Sequence, residues 1–332
     1  MGRTRLLGEL RGGDAAEFGG KSANLGELLA AEIPVPTGFA IGASAYRAFV
    51  EAAGLDGMIA AALSRGGEYA AKTIDEAMRF APLPADMREE LGSRYVALGE
   101  PPVAVRSSAL GEDSQDATYA GQQETFLWIR GIEHLCDAVR DCWVSLYTPR
   151  AIAYRAKLGV TEAAMGVTVQ VMIDAVVSGV MFTCNPVSGD PSMVAVNASW
   201  GLGLAVVGGE TNPDDYLVSK VTGEVVRSTV NPKEVEYVVD PSGRGTVRVE
   251  VPPERRDAAC LGEDELAELV ELARRVERHF DCHQDVEWAI ERGTRRLHAL
   301  QARPVTATRA ASPVSGSAIA LVMNAFGAGD RP

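Results

Sequence analysis

The chain has 332 residues, 46% of them hydrophobic and 23% charged, as in ordinary globular proteins, and its formal charge is −13. At about 150 residues per domain, that length predicts two compact units or one large lobed unit. The acidic balance excludes a broad basic surface for nucleic acid, and no stretch approaches the ~20 continuous apolar residues that would insert into a membrane.

The N-terminus carries two arginines but no apolar core of the kind a secretory signal needs, so a cytoplasmic protein is expected. Five cysteines, at 136, 142, 184, 260 and 282, form no Cys-x-x-Cys pair and are odd in number. They are expected to be reduced and mostly buried. Cys282 and His283 are adjacent, but no second pair stands at ligand spacing, and no zinc site is assigned.

Gly19 and Gly20 lead into a helix expected from Ser22 to Glu32, with Leu25, Leu28 and Leu29 on one face and Pro34 and Pro36 beyond its end. Lys21 stands at the join of loop and helix, where backbone N–H groups favour an anion. This is not a P-loop, because Ala15 occupies the place of that motif's first glycine. The run Val103-Ala104-Val105-Arg106-Ser107-Ser108 reads as a strand ending in an arginine, whose guanidinium forks well onto phosphate oxygens. The small-residue stretch Tyr119 to Thr125 follows, and its backbone N–H groups could approach the same anion.

Residues 133–158 read as helical with a break near Pro149, and β-rich segments at Val167 to Ile173 and Val176 to Cys184 then mark a second lobe. The expected organisation is therefore a first lobe over 1–175, a second over 176–309, and a tail or linker over 310–332. Gly201-Leu202-Gly203 is not a dinucleotide fingerprint, since Val206 stands where the next glycine is required. Two hairpins are expected within 216–251, turning at Thr222-Gly223 and at Pro241-Ser242-Gly243. From Glu263 to Phe280, Leu266, Leu269, Val270, Ala273, Val276 and Phe280 recur at helical spacing.

The last pair of strands, Gln284 to Ile290 and Leu297 to Pro304, would turn about Gly293-Thr294. Residues whose numbers sum to 588 then face one another, and Glu287 lies opposite Gln301 with Arg303 on the same face. A carboxylate beside an amide oxygen suits Mg²⁺; the same two residues also suit a solvent-facing polar pair.

Five motifs in this order resemble one family. They are Gly19-Gly20-Lys21-Ser22-Ala23-Asn24-Leu25-Gly26 with Pro34-Val35-Pro36-Thr37-Gly38-Phe39; Val105-Arg106-Ser107-Ser108-Ala109-Leu110-Gly111-Glu112-Asp113; Ala120-Gly121-Gln122-Gln123-Glu124-Thr125; Ser178-Gly179-Val180-Met181-Phe182-Thr183; and Gln284-Asp285-Val286-Glu287-Trp288 with Gln301-Ala302-Arg303-Pro304. The set, spanning about residues 10–306, resembles the nucleotide-binding domains of phosphoenolpyruvate synthase, pyruvate phosphate dikinase and rifampicin phosphotransferase.

The resemblance implies an α+β ATP-grasp fold of two lobes holding ATP between them. It implies that Lys21 and Arg106 contact the phosphates under a loop containing Gly121, Gln122 and Thr125, that Gln170 and Met172 border the adenine, that Glu287 and Gln301 hold Mg²⁺, and that Arg303 braces the phosphates. It further implies transfer of the β-phosphoryl or a pyrophosphoryl group to a histidine on a separate carrier domain or subunit, with release of AMP. The rival readings are a stand-alone kinase acting directly on a small molecule and a non-catalytic nucleotide-binding subunit. Two departures from the family stand out: Leu204 replaces the acidic residue usual after Gly-Leu-Gly, and none of His134, His279, His283 and His298 lies in the Gly-Gly-rich context of a carrier histidine.

Overall fold

The computed structural model describes residues 2–110, 124–158 and 163–305. It is a mixed helix-and-sheet structure that divides into two compact units. The first comprises residues 1–26 and 37–172, and the second 27–36 and 173–332. The 310–332 segment, expected to be a tail, lies outside the described residues.

In the first unit, in chain order, stand β1 (Thr4–Leu6), α1 (Ala15–Phe18), α2 (Gly20–Ala30), β2 (Gly38–Ile41), α3 (Ala43–Ala52), α4 (Asp56–Arg65), α5 (Gly67–Phe80) and α6 (Ala85–Ala97). There follow β3 (Val103–Ala109), β4 (Thr125–Ile129), α7 (Ile132–Val144), α8 (Pro149–Leu158) and β5 (Met165–Val171). Helix α2 runs past Gly26, where the unit division falls. The five strands form an antiparallel sheet in the order β1-β2-β5-β3-β4.

Alternation along these strands separates two faces. Phe39, Ile41, Val103, Val105, Met165, Val167 and Val169 point into one core with the buried faces of α3 to α7, where Trp143 stacks on Phe49 at 5.4 Å. The intervening residues, Arg106, Ser108, Gly166, Thr168 and Gln170 among them, occupy the opposite, more polar face, against which α1 and α2 lie.

The second unit contains β6 (Ala175–Phe182), β7 (Met193–Trp200), α9 (Leu204–Val207), β8 (Asp214–Ser219), β9 (Val225–Thr229), β10 (Val235–Val239), β11 (Thr246–Glu250), α10 (Pro253–Arg256), α11 (Glu263–Phe280), β12 (Gln284–Glu291) and β13 (Leu297–Pro304). Six strands form an antiparallel sheet, β13-β12-β6-β7-β8-β9, and β10 with β11 makes a separate hairpin. Helix α11 has the span its apolar periodicity predicts, and both expected hairpin turns are present.

This unit is tied internally by Asp214, wholly buried at the start of β8. Its carboxylate accepts from Lys233 Nζ at 2.5 Å, Cys260 N at 2.8 Å, Asn231 N at 3.1 Å and Tyr216 Oη at 3.3 Å. The four donors replace the water that a buried carboxyl group loses.

Two expectations shift. Helix α2 spans Gly20–Ala30 instead of Ser22 to Glu32, so Ser22 lies inside the helix, and its hydroxyl is spent on Thr168. The break near Pro149 is a turn of 3₁₀ helix at Ser145–Tyr147, after which Pro149 opens α8, the helical position that tolerates a missing N–H. Residues 43–97, to which no element had been assigned from sequence, form α3 to α6.

All five cysteines are free thiols; Cys136, Cys142, Cys184 and Cys260 are buried and Cys282 is exposed. Burial pushes the Cys136 thiol up to about 11 and raises Cys142, Cys184 and Cys260 as well, which lowers their thiolate fraction. A thiol-reactive chromophore should therefore label one site rapidly in the native chain and all five after denaturation. Two or more fast sites in the native protein would contradict the burial described.

Candidate nucleotide-binding residues

In the first unit, the turn between α1 and α2 is pressed onto β3. Gly19 has φ +79°, and a Cβ there would lie 2.2 Å from Ser108 Oγ and 2.3 Å from Ser108 O, so only glycine fits. Two residues on, the Lys21 ammonium, 7% exposed, donates to Ser107 O at 3.0 Å. Ser22 Oγ and Thr168 Oγ1 share a hydrogen bond of 2.7 Å. Lys21 is thus anchored beside the strand residue that follows Arg106.

Arg106, half-buried in β3, has Thr125 of β4 and Thr168 of β5 as Cα partners. Gln170, buried, sits one step along β5 opposite Ala104 and Gly38, on the same face as Arg106. Met172 follows the strand, with its N–H donating to Pro102 O at 2.9 Å. Glu124 joins β3 just before Thr125, its N–H donating to Ser107 Oγ at 3.0 Å. Gly121 and Gln122, the other two loop residues predicted for the site, lie outside the described residues.

In the second unit, Glu287 and Gln301 are Cα partners on β12 and β13, as the register sum requires. That sum holds from Gln284 to Glu287; a bulge between Glu287 and Trp288 then shifts the pairing by one, giving Trp288 opposite Ala299. Arg303 is paired with Asp285, one step along the same face, and its guanidinium donates to Asp285 Oδ2 at 2.8 Å through Nε. Asp285 is missing from the sequence-predicted set, although the same sum of 588 pairs it with Arg303.

Burial pushes the Asp285 carboxyl up; Arg303 pulls it back down, and the neighbouring Glu287 charge adds a smaller upward push. The arrangement aligns one guanidinium through a buried acid and places Glu287 and Gln301 one step along the same face. Among the described residues no group of three or more His, Cys, Asp or Glu is arranged to hold a metal. A metal on Glu287 and Gln301 would take most of its ligands from phosphate and water.

Two strands away on this face, Asn197 Nδ2 donates to Asp215 Oδ2 at 3.3 Å and Arg227 Nη2 to Asp215 Oδ1 at 2.8 Å. Val180 lies between Glu287 and Asn197 in the same row. Leu204 opens α9 directly after Gly201-Leu202-Gly203, where Gly201, at φ +71°, lies against Tyr237 O.

The four histidines are engaged elsewhere. His134 bonds Arg130 O at 3.1 Å, His279 pairs with Glu27 at 3.1 Å, His283 with Glu277 at 2.6 Å, and His298 lies 3.7 Å from Glu291. Burial pushes His298 below the ordinary histidine range.

Comparison with known proteins fits these residues into a family. The model of the pyruvate phosphate dikinase, AMP/ATP-binding domain matches residues 15–319, and the chain belongs to that family. It is 40% identical over 315 residues to a probable phosphoenolpyruvate synthase of Methanocaldococcus jannaschii, covering 90% of this chain and 26% of that protein. It is 40% identical over 313 residues to the corresponding protein of Methanothermobacter thermautotrophicus (90% and 45%), and 35% identical over 350 residues to the phosphoenolpyruvate synthase of Pyrococcus furiosus (90% and 43%). The chain thus spans less than half the length of these curated relatives. Among the described residues, no helix is long and apolar enough to cross a membrane.

The Asp285–Arg303 pair yields a stability test. Asp285→Ala should cost about 2–3 kcal/mol in chemical denaturation, less than the ~3–5 kcal/mol of a fully buried pair, because 27% of the Arg303 side chain stays exposed. A change below about 0.5 kcal/mol, the scale of an ordinary surface substitution, would show that Asp285 does not hold Arg303.

Proposed function

We propose that this chain is the ATP-binding module of a phosphohistidine phosphotransferase, with an ATP-grasp arrangement in which both units contribute to one nucleotide site. The observation that carries the reading is the pairing of Glu287 with Gln301 one step from an acid-aligned Arg303, inside a match to an AMP/ATP-binding family.

In this reading Lys21 and Arg106 hold phosphate oxygens, with Thr125 and the preceding loop residues Gly121 and Gln122 over them. Gln170 and Met172 border the adenine. Arg303, fixed by Asp285, braces the transferring phosphates, and the carboxylate and amide oxygens of Glu287 and Gln301 match the donor preference of Mg²⁺. The metal would neutralise phosphate charge as bond cleavage proceeds.

A carrier imidazole nitrogen attacking the β-phosphorus breaks the bond to the oxygen bridging the α- and β-phosphates. That oxygen leaves with AMP and the histidine takes the pyrophosphoryl group; water then cleaves the bond between the β- and γ-phosphates, releasing the γ-phosphate as inorganic phosphate and leaving the β-phosphoryl on the histidine. Little covalent work falls to this chain; its role is positioning and charge stabilisation. The carrier histidine would belong to a separate domain or subunit, since His134, His279, His283 and His298 are held by other contacts.

ATP affinity should fall sharply in EDTA, because two or three protein cations neutralise the triphosphate only in part and, without the metal, the oxygens of Glu287 and Gln301 repel it. Lys21→Ala, Arg106→Ala and Glu287→Ala should each lower transfer by about 100-fold or more while adenosine affinity changes little. Equal ATP affinity with and without Mg²⁺, or a parallel loss of adenosine binding in all three variants, would contradict the assignment.

The catalytic test uses ATP labelled in the β-phosphoryl group. The chain alone should turn it over very slowly, for want of a positioned nucleophile. With a carrier-histidine domain from a relative added, AMP should appear and acid-labile label should collect on the carrier. Rapid ADP release by the chain alone with phosphorylation of a small molecule would replace this reading with that of a direct kinase.

A further inference from the structure

Helix α2 belongs to both units: Gly20 to Gly26 lie in the first and Glu27 to Ala30 in the second. The chain also passes between the units after Pro36 and after Met172, and both of those places lie outside helices and strands. Two crossings are therefore ordinary connections, and one is the interior of a helix, which bends only by disturbing its own hydrogen bonds.

The first half of α2 is fixed by Gly19 on Ser108, Lys21 on Ser107 O and Ser22 on Thr168. Gly26 is pressed as closely, since a Cβ there would lie 2.3 Å from Leu10 O. The far end is fixed within the second unit. Glu32, at φ +58°, closes the helix in the left-handed conformation that glycine usually supplies, with Ile33 N donating to Leu28 O at 3.0 Å and Glu32 N to Leu29 O at 3.1 Å.

Arg275, half-buried on α11, donates from Nη2 to Glu32 O at 2.7 Å and to Ala31 O at 3.4 Å, where the helix presents its negative end. One turn along α11, His279 meets the Glu27 carboxylate at 3.1 Å. Ala299 of β13, two residues before Gln301, donates to Pro34 O at 2.8 Å.

We propose that Arg275 is a positioning residue for nucleotide binding: it holds the end of α2 on α11, and the stiff helix transmits that hold to Lys21, about 15 Å away along the axis. The inference rests on the reading in which Lys21 meets the phosphates while Gln170 and Met172 border the adenine. Loosening the end of α2 then costs phosphate alignment and leaves the adenine contacts in place.

The test is calorimetric titration of the full chain with Mg²⁺-ATP and with adenosine. Arg275→Ala should weaken ATP about tenfold and adenosine less than about twofold, and Arg275→Lys, which keeps a cationic donor, should recover most of the loss. In a Lys21→Ala background the same Arg275→Ala change should cost less than about twofold, because the group it positions is gone. His279→Ala, which removes the contact to Glu27, should repeat the pattern in smaller measure, and it decides the matter if a thermal melt shows that Arg275→Ala does not fold. ATP and adenosine weakened alike, the full loss retained in the Lys21→Ala background, or parent-like ATP affinity in the folded variants would each overturn the proposal. Parent-like ATP affinity in Lys21→Ala alone would overturn the phosphate role of Lys21 and this inference with it, a result distinct from the other three.

Discussion

The first unit depends on one close approach: the turn at Gly19 lies so near Ser108 that no side chain fits between them. That contact brings the start of α2 down onto the polar face of the sheet. Lys21 then reaches the Ser107 carbonyl and Ser22 the Thr168 hydroxyl. A lysine at a helix start is usually a mobile, solvated charge. Here the residue is 7% exposed and its ammonium is fixed on the carbonyl of Ser107, the residue after Arg106.

The second unit reaches a comparable result by strand alternation. On β12, Val286 and Trp288 are buried on one face while Asp285 and Glu287 share the other with Gln301 and Arg303 of β13. Asp285 is buried and spent on aligning Arg303; Glu287 is half-buried and has Gln301 as its Cα partner. Two acids two residues apart thus hold different roles through their burial and partners. Asp214 and Asp215 divide in the same way: the first is enclosed by four donors inside the unit, and the second faces Asn197 and Arg227 on the opposite side of β8.

The chain belongs to an AMP/ATP-binding family and is nonetheless acidic overall. Polyphosphate recognition requires local positive charge, not a positive protein, because fields at short range in a partly desolvated site outweigh distant, screened surface charge. Each of the four histidines lies close to another group: Arg130 O, Glu27, Glu277 and Glu291 respectively.

Much of this was open to reading in the chain itself, because short-range periodicity and register are local properties. The span of α11 followed from its apolar spacing, and the facing of Glu287 and Gln301 followed from the alternation of two strands about a glycine turn. The same sum pairs Asp285 with Arg303, but nothing local says that this acid is buried. Helices α3 to α6 went unassigned, although α5 carries buried Ala70, Ile74 and Met78 on a single face. Their place is set by the shared core, where α3 meets β5 and α5 and α6 meet α7, elements distant in sequence. The bulge after Glu287, the closeness of Gly19 to Ser108 and the enclosure of Asp214 were decided by tertiary structure alone. Each depends on which distant segments meet, and that is fixed by the packing of the whole unit, not by any run of neighbouring residues.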